Sequence, residues 1–207
     1  MAFLIRAQKL RIADAVRAAE AATRGEIVTV IARGSSDYLQ IALLWAGFIA
    51  LSAPGLILLF KPDIGVFHLY EIQLGTFVAA MGILHWSPLK MFFVPAALQR
   101  RYARRLAREQ FFAQGLHLTR ERTGVLLFVS AAEHYVEIIA DAGINERLDK
   151  GEWDDIVSRF IADVRAGRIE QGFLSAIAAC GDKLAQHFPR DKHKNDQNEL
   201  PNRLIEL

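Results

Sequence analysis

The sequence predicts an α/β protein: a small mixed sheet flanked by helices in an α/β/α sandwich, interrupted by a two-helix transmembrane hairpin. Three observations carry that expectation. Residues 39–60, LQIALLWAGFIALSAPGLILLF, contain no charged residue. A second apolar run follows after a short polar break. Strand-like segments, EIVTVIA before this region and GVLLFVS after it, stand on opposite sides of it. Neither side alone has the partners needed to bury its apolar faces.

Composition points the same way. The chain has 207 residues, a formal net charge of +2 and 52% hydrophobic residues. A nearly balanced charge gives no reason to expect nucleic acid as a partner. The apolar excess is concentrated between Leu39 and Leu98, which indicates a bilayer rather than a large core. Met1 to Ile5 is too short for the apolar core of a secretory signal, so the N-terminus is expected to stay on the side of synthesis.

In chain order, Ile5, Ile12, Val16 and Ala19 share one face of a first helix, which Gly25 is expected to end. Glu26 to Ala32, rich in β-branched residues, reads as a strand. The first membrane span is 39–60, long enough at about 1.5 Å per residue to cross a hydrocarbon core of roughly 30 Å. Lys61, Pro62 and Asp63 end it, and Pro54 inside it is tolerated in a membrane helix. The second span is read as 70–90, with Met91 to Leu98 either continuing it, Lys90 snorkelling, or lying at the interface. Tyr70 and Trp86 suit interfaces. Gln73 and His85 fall near the span ends, where headgroups and water satisfy them. Gly47, Gly55, Gly75 and Gly82 are expected to let the two helices approach closely.

After the hairpin, Gln99 to Gln114 is a basic helix and Gly124 to Ser130 a buried strand. Tyr135 to Ala140 returns antiparallel to it. Glu152 to Ala166 is amphipathic, with Trp153, Ile156, Val157, Phe160, Ile161 and Val164 on one face. Asp149, Glu152, Asp154 and Asp155 favour its start through the helix dipole. Ile169 to Phe188 is the last helix, closed by Pro189. The expected organisation is therefore a discontinuous domain, 1–37 plus 99–189, around a hairpin, 38–98, with a polar tail at 190–207 whose end, Leu200 to Leu207, either docks or stays free.

Charge sets the expected orientation. Arg6, Lys9, Arg11, Arg17, Arg24 and Arg33 precede the hairpin, and Arg100, Arg101, Arg104, Arg105 and Arg108 follow it. The connecting loop is read as holding Lys61, Asp63 and Glu71. The positive-inside rule then places both termini in the cytoplasm of a multi-pass inner (plasma) membrane protein. The arginine cluster after the second span also suits anionic headgroups.

The segments RGEIVTVIA (24–32), RTGVLLFVSAAEHYVEIIADAGI (122–144) and RAGRIEQGFLSAI (165–177), in this order of elements, resemble the TPM domain family (TLP18.3, Psb32, MOLO-1). The likeness extends over roughly Lys9 to Ser36 and Gln99 to Pro189. It resembles a bacterial membrane subgroup in which a helical hairpin interrupts the domain after its first strand. The resemblance implies an α/β/α sandwich, and for the family either acid-phosphatase or calcium-binding activity or an accessory role in membrane complexes. Three stretches depart from the family pattern: Met1 to Leu10 stand where an acidic residue and a Leu-Ser helix start are usual, Arg122-Thr123 where Asp-Asn is usual, and DAGINERL (141–148) where a glycine-rich stretch is usual.

Glu133, Glu137, Asp141 and Glu146 bracket the end of the third strand. Glu137 and Asp141, four positions apart, point the same way in a strand, and such a pair suits a hard cation such as calcium. The competing reading makes Glu137 a solvent-facing strand residue and Asp141 a turn or cap. His117, His134 and His187 are scattered without zinc spacing, and no P-loop, dinucleotide fingerprint or nucleophile elbow occurs. Cys180, the single cysteine, reads as a small buried helix residue. The expected function is a membrane-anchored, non-enzymatic accessory module whose partners are the lipid bilayer and other membrane proteins. A weak acid-phosphatase-like phosphohydrolase with a divalent-cation site is the alternative.

Overall fold

The computed structural model describes residues 4–86, 90–148, 150–190 and 199–207. The chain divides into two units, one formed by Met1–Ser35 with Arg100–Leu207 and the other by Ser36–Gln99.

In the first unit, β1 (Glu26–Ala32) pairs in parallel with β2 (Gly124–Ser130), from Glu26↔Gly124 to Ala32↔Ser130. A short turn returns β3 (Tyr135–Ala140) antiparallel to β2. The strand bounds match those expected from the β-branched runs. A fourth strand, β4 (Ile205–Glu206), lies parallel to β1, so the sheet order is β3-β2-β1-β4. The expected tail thus completes the sheet at its end, with Leu207 N–H donating to Ile31 O at 2.9 Å. Residues 191–198, also read as tail, lie outside the described residues.

Side chains alternate across this sheet, as a period of two requires. Ile27, Ile31, Val125, Leu127 and Val129 join one core with α1 (Arg6–Glu20), α7 (Lys150–Arg165) and α8 (Ile169–His187). Val28, Val30, Leu126 and Phe128 join a second core with Ala107 and Phe111 of α5 (Ala96–Ala113) and with Leu116 in a single 3₁₀ turn. The result is the predicted three-layer arrangement.

Several local readings change. Ile5 is not on the buried face of α1; it is the N-cap, 66% exposed, and its N–H donates to Gln8 Oε1 at 2.8 Å. Gly25 does not stop α1, which ends at Glu20. It makes room for Leu184 of α8, whose Cδ1 would lie 2.9 Å from a Cβ there. Helix α7 begins at Lys150, so Asp154 and Asp155 fall past the first turn, where the dipole acts; Asp149 lies outside the described residues. Cys180 is fully buried in α8, which pushes its thiol up to about 12.

The second unit is the hairpin. Helix α2 (Leu39–Phe60) and helix α3 (Val66–Trp86) are each long and apolar enough to cross a membrane. Helix α3 starts four residues before Tyr70, which brings Glu71, read as a loop residue, inside the helix. The four glycines do not bring the helices together: a Cβ at Gly47, Gly55, Gly75 or Gly82 would meet nothing within 4 Å. Alanines supply most of the seam instead, Ala42 and Ala46 of α2 packing with Ala80 and Leu84 of α3. After α3, a short helix α4 (Lys90–Phe93) stops before Pro95, and α5 starts at Ala96. Gln99 closes this break, its Nε2 donating to Met91 O and Val94 O at 2.9 Å each. The apolar stretch from Met91 to Leu98 is therefore bent rather than one continuous helix.

Candidate functional site

The acidic residues expected to form a site all lie around β3, but each has its own task. Asp141 follows the last residue of β3 and is 5% exposed. Its carboxylate caps a short helix, α6 (Ala142–Asn145), by accepting the Ala142 N–H at 2.7 Å. The same carboxylate takes a two-point contact from Arg122, Nε to Oδ2 at 2.7 Å and Nη2 to Oδ1 at 3.0 Å. This fork-to-fork geometry satisfies both carboxylate oxygens. The corner is tight: Arg122 has left-handed backbone (φ 57°), and its carbonyl accepts the Gly143 N–H at 3.1 Å. A Cβ on Gly143 would stand 2.5 Å from the Glu121 carbonyl, so only glycine fits.

Glu137 sits on the sheet face that carries α5. Its Oε2 accepts the Tyr135 hydroxyl at 2.9 Å, and Arg104 of α5 lies 3.7 Å from its Oε1. Burial raises the Glu137 carboxyl above its ordinary range, against the opposing pull of the Tyr135 hydroxyl, Arg104 and Arg108. Burial likewise raises the Tyr135 phenol. Glu137 and Asp141 do not converge: one faces Tyr135 and Arg104, the other Arg122 and a helix end. Glu146 is exposed beyond α6. Among the described residues no group of three or more histidines, cysteines or acids is arranged to hold a metal. The histidines do not converge either. His117 stacks edge-on against Phe112, His134 occupies the β2–β3 turn, and His187 ends α8.

Two carboxylate roles were not foreseen from sequence. Glu133, in the β2–β3 turn, accepts the Ser35 N–H and hydroxyl at 2.9 and 2.7 Å, and the Ser130 hydroxyl on its other oxygen. It thereby pins the chain where it leaves β1. Glu20, at the end of α1, accepts the Ile27 N–H at 2.8 Å and the side-chain amide of Asn202. Its neighbour Glu26 accepts the Glu199 N–H at 3.1 Å. These two acids bind the C-terminal segment to α1 and β1. Their sequence signal was slight, since a glutamate closing a helix normally reads as a solvated residue. Burial, with repulsion from Glu26 adding to it, pushes the Glu20 carboxyl up to about 8.

A groove of about 600 Å³ between α7 and α8 is lined by Asp155, Arg159, Ser175, Asp182 and Lys183 among others. Its charges balance, so it selects neither anions nor cations.

Two outcomes follow from this chemistry. Asp141→Ala removes the cap and leaves the Ala142 N–H without its acceptor. It is expected to lower unfolding stability by about 1–2 kcal/mol, as for other N-cap losses, in denaturant titration of the detergent-solubilised chain. Glu20 holds a proton in the folded state over a range where the unfolded carboxyl, near its ordinary value of 4.5, has lost it. The folded state therefore binds more protons between these limits, and stability falls as pH rises. The contribution is complete below about pH 4.5 and gone above about pH 8, with a total on the order of 4 kcal/mol. Glu20→Gln should flatten that slope in melting curves taken from pH 5 to 8.5; an unchanged slope would place the titration elsewhere.

Comparison with known proteins supports the fold and its family. No curated protein matches the chain. The solution structure of the BA42 protein from the psychrophilic bacterium Bizionia argentinensis is similar in fold, with a TM-score of 0.62 at 22% identity, covering 100% of this chain and 97% of that one. A family model described as the TPM domain matches residues 91–183, which takes in α5, β2, β3, α7 and most of α8. Residues 91–183 therefore match the TPM domain, and this stretch holds Asp141, Glu137 and Arg122.

Proposed function

We propose that this chain is a multi-pass inner-membrane protein whose TPM domain works as a non-enzymatic interaction module at the cytoplasmic face. The observation that carries the reading is the surface of the hairpin. Leu44, Phe48, Leu51, Leu59, Phe60 and Phe67 are each between 65% and 85% exposed. Continuous apolar surface of that kind is unfavourable in water and is the surface a helix presents to lipid. The flanking arginines support cytoplasmic termini under the positive-inside rule. Arg100, Arg101, Arg104, Arg105 and Arg108 are all exposed on α5, available to anionic headgroups. The accessory reading rests on the acids of the domain: Asp141, Glu137 and Glu133 each hold a neighbouring segment in place rather than converging on a cavity.

Membranes from expressing cells, washed with alkaline carbonate, should retain the chain in the pellet, and a C-terminal reporter should be active only in the cytoplasm. Release into the supernatant, or periplasmic reporter activity, would refute the topology. Separately, the solubilised protein should not turn over p-nitrophenyl phosphate, with or without calcium. Turnover that Asp141→Ala abolishes would establish the phosphohydrolase alternative and its cation site instead.

A further inference from the structure

The hairpin is finished along one half of its length only. Its buried seam packs Ala42 and Ala46 of α2 with Ala80 and Leu84 of α3, and Ala50 is the last buried residue of α2. From Leu51 to Ala79 every residue is described and none is buried. At the boundary between the halves lies a groove of about 420 Å³, lined by Gly47, Ala50, Leu51, Gln73, Leu74 and Phe77 among others.

Gln73 is the amide of that lining, one turn of α3 from Tyr70, which lines it too. The sequence placed it near a span end, but the groove sets it beside Gly47, Ala50 and Leu51, the middle of α2. If α2 spans the bilayer, Gln73 lies deep in hydrocarbon. Its amide makes no hydrogen bond with a described residue. An amide without a partner at that depth is costly, and in membrane proteins it is satisfied across helix–helix contacts. The groove also contains Ala50, whose carbonyl receives no helical N–H from Pro54.

We propose that the hairpin pairs with a second copy of itself through this groove, the two Gln73 amides hydrogen-bonding each other across a two-fold axis along the membrane normal. The inference rests on the transmembrane reading above. Three physical reasons select a second copy as the occupant. Every copy inserts in the same orientation, so a two-fold axis must run along the normal and brings identical residues to identical depth. A carboxamide is both donor and acceptor, so two of them satisfy each other with two hydrogen bonds and no charge. The open space beside Gly47, which lines the groove, leaves room for a facing helix to approach closely. Glu71 lies about 200° around α3 from Gln73, on the opposite face, and takes no part.

The test uses the full-length chain in vesicles of phosphatidylcholine and phosphatidylglycerol, with donor- and acceptor-labelled copies mixed over a series of protein-to-lipid ratios. Energy transfer should saturate for the wild type. Gln73→Leu should weaken association about tenfold, the worth of two such bonds in lipid. Gly47→Leu, whose side chain enters open space in the single hairpin, should block the groove and abolish association. Glu71→Gln should associate as the wild type does. A wild type that stays monomeric at every ratio, a Gln73→Leu variant that associates normally, or loss of association in Glu71→Gln would overturn the proposal. Carbonate extraction of the same vesicles separates the two claims. A chain that washes off refutes the membrane reading and this pairing together; a chain that stays embedded but monomeric refutes the pairing alone.

Discussion

Strand β1 cannot be satisfied by anything near it in sequence. All seven of its residues are buried, and both neighbours in the sheet, β2 on one side and β4 on the other, come from beyond the hairpin. A buried strand with unpaired N–H and C=O groups is too costly to persist. The chain must therefore complete its long excursion and return before the first strand is stable. Every other feature of the α/β unit is arranged around that late closure. The α1–α7–α8 layer covers one face, α5 covers the other, and a two-residue strand from the far C-terminus seals the edge. Pairings between segments so distant in sequence close large loops, which slows folding rather than limiting stability.

The acidic residues make sense in the same terms. Burying a carboxylate is unfavourable unless it is paired or protonated. Here each buried acid is matched to a place where the discontinuous fold would otherwise come apart. Glu133 holds Ser35 at the exit from β1. Glu20 and Glu26 hold the returning C-terminal segment. Asp141 joins the loop before β2 to the end of β3 through Arg122. Asp141 is held by a guanidinium, whereas Glu20 is driven toward the neutral acid by burial. Both tie separate parts of the chain to the same sheet.

The hairpin is packed differently, because most of its large apolar side chains are exposed and few meet each other. Close packing then depends on small residues. Alanines supply it here rather than glycines, since the glycines of both helices face open space. A seam that ends half-way leaves an amide and a proline-freed carbonyl beside the groove.

How much of this was legible depended on the range of the interactions involved. Local pattern along the chain determined these elements: a 3.6-residue period marked α1, α7 and α8, β-branched and apolar runs marked the three main strands, and length without charge marked the first apolar helix. The strands EIVTVIA, GVLLFVS and YVEIIA appear as expected. Asp141 as a cap was readable as one of two alternatives, since capping is local chemistry. What sequence could not decide were contacts between distant positions. β4 is too short to show alternation. Gly25 answers to Leu184, and Glu133 to Ser35. The level of Gln73 along the hairpin is set by which turn of α2 it meets. A one-dimensional pattern records what a residue needs, burial or a partner, but only the folded chain decides which partner comes within reach.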